Sequence, residues 1–96
     1  MIEIRQTDVY SKWFDGLRDR LAQVRFNVHI RRLSLGNPGD VKSVGKGVSE
    51  LRIDYGPGYR VYFTKHRGTV VILLAGGNKR TQDHDIQKAL ELAHNL

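Results

Sequence analysis

The sequence contains no cysteine, and this absence excludes several kinds of chemistry. Without thiols the protein has no disulfide framework, no cysteine nucleophile and no thiolate metal site. Its four histidines are scattered, without an H-x-x-x-H or H-E-x-x-H spacing, and no nucleotide-binding glycine fingerprint is present. We therefore expect neither a metal ion nor a cofactor. The absence of cysteine is also compatible with the cytoplasmic location that we expect.

Long apolar runs and acidic residues are also scarce. No run approaches the roughly 18 apolar residues of a membrane-spanning helix, and the N-terminus lacks the apolar core of a signal peptide. We expect no membrane association, and the length of 96 residues predicts a single domain over residues 1–96. The chain has ten acidic and sixteen basic residues, ten of the latter arginine, which gives a formal charge of +6. Because the arginine guanidinium suits phosphate, this excess favours a polyanionic or acidic partner.

The rest of the chain is organised around a predicted β-hairpin over residues 48–63. Two runs of alternating apolar and polar residues flank a Gly-Pro-Gly turn at residues 56–58. With this three-residue loop, Asp54 would lie opposite Arg60. A surface ion pair between the two is the structural alternative to a functional role for Arg60, which we expect to be exposed. The polar face of the hairpin would carry Arg52, Asp54, Arg60 and Tyr62.

Helical and strand patterns precede the hairpin. Residues 1–6 alternate as in a strand, and Thr7 or Asp8 can cap a first helix. A second helical pattern begins near Asp19 and stops at the Gly-Asn-Pro-Gly segment 36–39, and we interpret its arginines as an ordinary solvated face. We expect the apolar stripe of this second helix to face the core, and its residues are Leu21, Val24, Val28, Ile30 and Leu33.

The C-terminal part of the chain predicts an inner strand and a final helix. Residues 69–75 are almost continuously apolar, as in a strand covered on both faces. A polar, glycine-rich exit follows at residues 76–82, and Thr81 or Asp83 can cap the last helix. The predicted fold is α+β: an N-terminal strand and a helical hairpin, then a mostly antiparallel sheet and a C-terminal helix, with the helices on one side of the sheet.

Basic side chains converge near the predicted polar face. An antiparallel hairpin brings Arg52 and Arg60 together, and the exit from the inner strand places Lys79 and Arg80 beside one end of the sheet. Such a cluster suits a phosphodiester, because arginine stabilises the extra charge of a pentavalent transition state. Arginine cannot act as a base at neutral pH, so cleavage of RNA through its own 2′-hydroxyl needs another proton acceptor. His84 is the best placed candidate in sequence, although a solvated histidine at the start of a helix is the simpler interpretation.

Other expected RNA contacts are spread along the chain. Tyr55 and Tyr62 can stack on a base or lend a hydroxyl group, or they can simply fill the surface of the sheet. Lys46 lies in a basic, glycine-rich turn that does not match a phosphate-binding loop. We expect RNA binding by these three residues together with Arg52.

Two segments of the sequence resemble a known family. They are G-N-P-G-D-V-K-S-V-G-K-G-V-S-E-L-R-I-D-Y-G-P-G-Y-R-V-Y-F, residues 36–63, and V-I-L-L-A-G-G-N-K-R-T-Q-D-H-D-I-x-K-A, residues 71–89. With the helical hairpin before them, they resemble the addiction-module killer proteins of the RelE/ParE toxin superfamily, on the HigB-like branch. The resemblance covers essentially the whole chain. It implies a RelE-like fold and a toxin that is neutralised by a small antitoxin encoded by an adjacent gene.

The resemblance also implies an activity and roles for individual residues. Most characterised relatives are ribosome-dependent endoribonucleases that cut mRNA in the decoding site without a metal ion and leave a 2′,3′-cyclic phosphate. In such relatives the arginine that matches Arg60 contacts the scissile phosphate, and basic residues after the last strand match Lys79 and Arg80 in role. The acid or base often lies near the C-terminus, as His84 does.

Two other functions fit the same sequence. ParE-like members of the superfamily bind DNA gyrase and cleave nothing, and the absence of any tyrosine after Tyr62 favours them. A basic domain that only binds nucleic acid is the third interpretation. The position of Arg60 within a cluster of basic residues favours the ribonuclease.

Overall fold

The computed structural model describes residues 2–96, so Met1, the first residue of the strand predicted over residues 1–6, lies outside the described residues. Strands and helices follow one another in the order that the sequence predicts. The elements are β1 (Glu3–Gln6), α1 (Asp8–Asp15), α2 (Arg20–Ser34), β2 (Val41–Gly45), β3 (Val48–Ile53), β4 (Tyr59–His66), β5 (Val70–Gly77), a 3₁₀-helix (Lys79–Thr81) and α3 (Gln82–His94). Thr7 and Asp19 cap α1 and α2 by accepting hydrogen bonds from backbone amides of the first turn.

The strands within residues 2–96 belong to one mixed sheet, in the order β1-β5-β4-β3-β2. β1 runs parallel to β5, and the other three neighbouring pairs are antiparallel. The predicted α+β class is therefore confirmed, together with the N-terminal strand, the mostly antiparallel sheet and the C-terminal helix. Across the described part of the chain, no helix combines the length and the apolar character that crossing a membrane requires.

Apolar side chains are buried on both faces of the sheet. In β4, Val61 and Phe63 contribute to the core beneath α1 and α2, whereas Tyr62 lies in a second cluster with Ala89 of α3. Successive residues of a strand point to opposite faces, so α3 packs on the side opposite to α1 and α2. The expectation of helices on one side only is wrong, because the apolar strand β5 has to be covered on both faces.

Helix α2 turns a different face to the core than its apolar pattern predicts. Leu33 is buried as expected, but its buried companions are Ala22 and Phe26. Three residues expected in the core are instead exposed, namely Leu21 (51%), Val24 (56%) and Val28 (43%). The helix carries two apolar stripes, and periodicity alone does not decide which one is buried. Phe26 determines which stripe is buried, because its ring packs edge-on against Trp13 of α1 and Tyr59 of β4.

The β3–β4 hairpin has the predicted faces but a different register. Arg52, and not Asp54, lies opposite Arg60, so the pairing is shifted by two residues. The loop spans residues 54–58 rather than the three residues of the Gly-Pro-Gly segment. A shift of two residues keeps every side chain on its face, because the side-chain period of a strand is two. The predicted pairing of Asp54 with Arg60 is therefore wrong.

The two glycines that end β5 are required by close packing on either side of the sheet. A Cβ atom on Gly76 would overlap the ring of Trp13, and a Cβ atom on Gly77 would overlap the carboxylate of Asp85. Gly77 lies opposite Arg60 in the sheet. The absence of a side chain at this position therefore lets the first turns of α3 approach the polar face of the hairpin.

We expect Gly76→Ala to lower the free energy of unfolding by about 1–3 kcal/mol, the usual cost of forcing an extra carbon into a packed site. Urea denaturation measures this change. In a Trp13→Leu background the same substitution should cost much less, because the overlapping ring is gone. An equal loss of stability in both backgrounds would show that Trp13 is not the obstacle.

Candidate functional site

A buried carboxylate, that of Glu50 in β3, stands at the centre of the polar face of the hairpin. The residue is 1% exposed and is the one charged residue among the buried side chains of residues 2–96. The Tyr62 hydroxyl and the Gln82 side-chain amide each donate a 2.9 Å hydrogen bond to its Oε2 atom. Such donors are needed, because a carboxylate leaves water at a high cost unless hydrogen bonds and opposite charge replace its hydration. Gln82 belongs to α3, so this carboxylate also ties α3 to β3.

Two arginines provide the opposite charge. Arg52 Nε lies 3.4 Å from Glu50 Oε1, and Arg60 Nε lies 3.5 Å from Oε2. These are ion pairs without hydrogen-bond geometry, since both Nε atoms and Oε1 are buried and have no hydrogen-bond partner within residues 2–96. One negative charge faces two positive ones, so the cluster keeps a net positive charge.

The two arginines differ in exposure. The Arg60 side chain is 12% exposed, and its Nη1 atom donates a 2.7 Å hydrogen bond to the Gly58 carbonyl. The expectation that Arg60 is exposed is therefore wrong, because the ion pair with Glu50 and the contact with the loop hold it against the sheet. The Arg52 side chain is 41% exposed. Arg52 is thus the more accessible of the two side chains.

The 3₁₀-helix after β5 brings Lys79 next to the arginine pair. The Lys79 amide donates a 3.4 Å hydrogen bond to the Pro57 carbonyl in the hairpin loop. A Cβ atom on Gly58 would stand 3.4 Å from Arg60 Nη1 and 3.5 Å from Lys79 Cβ, so these two residues flank the same glycine. Lys79 therefore joins the cationic cluster of the hairpin, as the sequence predicts.

An open cavity of about 250 Å³ adjoins the arginine pair. It lies where β3 ends, the hairpin loop turns and β4 begins, and two carboxylates share it with the arginines. Guanidinium groups can hold a phosphate and a carboxylate can accept a proton, so two functions that phosphodiester cleavage requires meet in one place. The lining residues are Asp40, Arg52, Ile53, Asp54, Gly58, Tyr59 and Arg60.

Tyr62 acts inside this site and not on its surface. It is fully buried, which contradicts the expectation that it binds RNA, because its ring cannot stack on a base. Burial, followed by the hydrogen bond to Glu50, raises the pKa of the Tyr62 hydroxyl. The hydroxyl therefore stays protonated at neutral pH and keeps donating to Glu50. Its role is to fix the carboxylate between the two arginines.

His84 and Arg80, like Lys79, do not line the cavity, and unlike Lys79 they make no hydrogen bond within residues 2–96 that links them to the hairpin loop. His84 is exposed in the first turn of α3, two residues after Gln82. Two residues correspond to about 200° around a helix, so His84 projects away from the side of α3 that reaches Glu50. Arg80 is exposed on the 3₁₀-helix and makes no ion pair within the described part of the chain. The structure thus brings together Arg52, Arg60 and Lys79, but not His84.

Tyr55 and Lys46 are also separated from the arginine pair. The Tyr55 hydroxyl donates a 2.8 Å hydrogen bond to Asp19 Oδ2, and the Arg25 guanidinium carbon lies 4.7 Å from the Tyr55 ring centre. This hydrogen bond lowers the pKa of Asp19 and raises the pKa of the Tyr55 hydroxyl. Lys46 lies in the β2–β3 turn, at the end of β3 remote from Arg52. The four expected RNA contacts therefore do not form one surface.

Sequence reasoning missed three members of the site: Glu50, Asp40 and Gln82. A signal for Glu50 was present, because an acid two positions before Arg52 on a strand must share its face. Asp40 precedes β2, and Gln82 begins α3, and only the order of the strands and the position of α3 bring them to the hairpin. The sequence offers no local pattern that links them to the arginines.

Two comparisons with known proteins define the family. The family model described as "Phage derived protein Gp49-like (DUF891)" matches residues 12–95. An uncharacterized protein of Haemophilus influenzae is 48% identical over 95 residues, which cover 99% of this chain and 96% of that protein. The mixed sheet and its three helices are consistent with a toxin-like protein. The chain belongs to the phage-derived Gp49-like family, a toxin-like family related to RelE.

We expect Arg60→Ala to lower the free energy of unfolding by on the order of 1–3 kcal/mol, because it deprives the buried Glu50 of a cationic partner. In a Glu50→Gln background the same substitution should cost less, since no buried charge is then left short of partners. Urea denaturation of the four proteins measures this coupling. Arg52→Ala, at the more exposed arginine, is the matched control and should cost less than Arg60→Ala. Equal costs of Arg60→Ala in both backgrounds would contradict the charge pairing with Glu50.

Proposed function

We propose that the protein is the toxin of a type II toxin–antitoxin system, a metal-independent endoribonuclease that cleaves mRNA on the ribosome and arrests translation. The observation that carries the proposal is the pair of arginines around the buried Glu50, beside a cavity that also holds two carboxylates. Membership of a family related to RelE supports the same function. The RelE-like fold and the HigB-like branch that the sequence resembles are part of this proposal.

The arginine pair would hold the scissile phosphate. The Arg52 side chain is partly exposed, whereas Arg60 is fixed by Glu50 and by the Gly58 carbonyl. Groups that are already oriented stabilise the charge of a pentavalent transition state without reorganising during the reaction. Lys79 would add positive charge at the same place, and Arg80 would extend that charge along the RNA.

The proton transfers require groups other than arginine. In the proposed reaction a carboxylate accepts the proton of the 2′-hydroxyl, the 2′-oxygen bonds to phosphorus, and the bond from phosphorus to the 5′-oxygen breaks. The 5′-oxygen takes up a proton, which leaves a 2′,3′-cyclic phosphate and a 5′-hydroxyl. We assign the acceptor to Asp54, because it is exposed and lines the cavity beside Arg60. We assign the donor to the ammonium group of Lys79, because the Lys79 Cβ atom and Arg60 Nη1 flank the same glycine, Gly58, and because lysine, unlike arginine, can lose a proton.

The ribosome would supply the alignment of the substrate that the isolated site lacks. The cavity is open, and contact with a phosphate alone does not align the 2′-oxygen with the leaving 5′-oxygen. We propose that ribosome-bound mRNA is the substrate and that free RNA is cut poorly. The remaining partner is a cognate antitoxin encoded by an adjacent gene, which would neutralise the toxin in the cytoplasm. The proposed reaction uses no metal ion and no other cofactor.

Cleavage of mRNA on purified ribosomes tests the activity. In the presence of a metal chelator that leaves ribosomes assembled, the wild type should produce fragments that end in a 2′,3′-cyclic phosphate. Arg52→Ala should slow single-turnover cleavage by about 100-fold, because it removes a preorganised charge from the transition state. Lys46→Ala is the matched control, since it removes one positive charge remote from the cavity and should keep the wild-type rate. A wild type that leaves mRNA intact but blocks supercoiling by gyrase would replace this proposal by the ParE-like alternative.

A second set of variants locates the proton acceptor. We expect Asp54→Asn to slow single-turnover cleavage by about 100-fold, a typical contribution of a general base. His84→Gln should keep the wild-type rate, because His84 lies outside the cavity. The opposite pattern, with Asp54→Asn unaffected and His84→Gln slow, would return the role to the residue that the sequence favoured.

A further inference from the structure

Helix α2 leaves an apolar stripe uncovered. Leu21, Val24 and Val28 are 51%, 56% and 43% exposed, and Leu35, just after the helix, is 58% exposed. These are four of the five exposed large apolar residues of the described chain, and the fifth is its C-terminal residue. At about 100° per residue, the three helical members fall within roughly 60° of one another, on the side opposite to the buried Phe26. Exposed apolar residues are therefore concentrated on one face of one helix.

The charged residues that flank this stripe on α2 are all positive. On the same helical projection, Arg20 and Arg31 follow one border of the stripe, and Arg25 and Arg32 follow the other. The helix contains these four arginines and no acidic residue. None of the four forms a salt bridge within residues 2–96. The surface thus combines an apolar centre with two basic borders and has no compensating charge of its own.

We propose that the α2 stripe is the docking site for an amphipathic α-helix of a partner protein, with apolar residues along its centre and acidic residues on both borders. Apolar side chains spaced as on α2 can interdigitate with those of a second helix laid along it. Acidic borders would meet the arginines, which selects the partner by charge. The stripe lies on the opposite side of the sheet from Glu50, so this interaction is separate from the proposed cleavage. Only the identification of the partner as the antitoxin rests on the proposed function.

The charges argue against other occupants of the stripe. A second copy of the chain, laid on the same stripe about a two-fold axis, would set arginines against arginines, with no acid on either helix. A nucleic acid would use the arginines but not the apolar centre. Helices that lie on membrane surfaces commonly present tryptophan, phenylalanine or leucine. The stripe has leucine and valine but neither aromatic residue, so a membrane surface fits it less well than a partner helix does. An acidic amphipathic helix is the occupant that uses both the centre and the borders.

Binding of three synthetic helical peptides tests the proposal. The first carries leucine with the i, i+3, i+4, i+7 spacing and glutamate on both borders, the second has lysine in place of each glutamate, and the third is a scrambled version of the first. Calorimetric titration of the wild type should show the first peptide binding at least about 10-fold more tightly than the others, with an affinity that falls as salt is added. Equal affinities for the three peptides, or no binding of the first, would overturn the proposal.

Variants of exposed residues locate the binding surface. Val24→Ser/Val28→Ser should weaken binding of the first peptide at least about 10-fold while the melting temperature and the rate of mRNA cleavage stay near those of the wild type. Arg31→Gln/Arg32→Gln should weaken binding and reduce its dependence on salt. Lys46→Gln removes one positive charge outside α2 and should bind like the wild type. Unchanged binding in both double variants would show that the peptide binds elsewhere.

Two further measurements examine the competing occupants. A dimer in sedimentation experiments that Val24→Ser/Val28→Ser abolishes would assign the stripe to a second copy and overturn the proposal. Binding to phosphatidylserine vesicles that the same variant abolishes would assign it to a membrane surface, with the same consequence. All binding measurements are made without ribosomes, so their outcome is independent of whether the protein cleaves mRNA.

Discussion

A carboxylate enclosed in the interior cannot be left without partners, and this constraint organises the polar half of the hairpin. Glu50 is stabilised by two hydrogen-bond donors at Oε2, Tyr62 and Gln82, and by the positive charges of Arg52 and Arg60. Two arginines directly opposite each other on neighbouring strands would repel each other without an acid between them. The negative charge of Glu50 thus offsets the repulsion between the two arginines that this hairpin register places opposite each other. The hydrogen bond between Glu50 and Gln82 also fixes the position of the first residue of α3 on the sheet.

Sequence alone predicts the features of this fold that depend on the alternation of apolar and polar residues along a strand, or on interactions between residues that are neighbours in sequence. The two faces of the hairpin follow from strict alternation, because a slip by one residue would bury Arg52 among apolar side chains. Of the two residues that the sequence offers as the cap of α1, Thr7 and Asp8, the structure has Thr7 in this role, because capping depends on the side chain and the next few amides. The unbroken apolar run of β5 likewise indicates an inner strand without reference to its neighbours.

The features that sequence does not predict depend on choices between equivalent patterns. Loops of three or five residues around the Gly-Pro-Gly segment keep the same faces, so alternation cannot tell whether Asp54 or Arg52 lies opposite Arg60. Helix α2 has two apolar stripes, and the choice between them is made by aromatic contacts of Phe26 with residues distant in the chain. The candidate site inherits the first of these ambiguities. Its arginines follow from the sequence, and alternation also places Glu50 on their face, but the burial of Glu50 depends on the position of α3, which no local pattern reveals.

Because β1 pairs with β5 and with no other strand among residues 2–96, the first of the five strands has to wait for the fifth. The Thr7 hydroxyl, just after β1, donates a hydrogen bond to the Leu74 carbonyl of β5 across 67 residues of sequence. During synthesis β1 therefore has no strand to join until the residues of β5 have been translated. Contacts between segments that are so far apart in sequence also form slowly during folding. β1 is thus synthesised before the other four strands but is fixed in place only after β5 has formed, and the sheet stays incomplete until then.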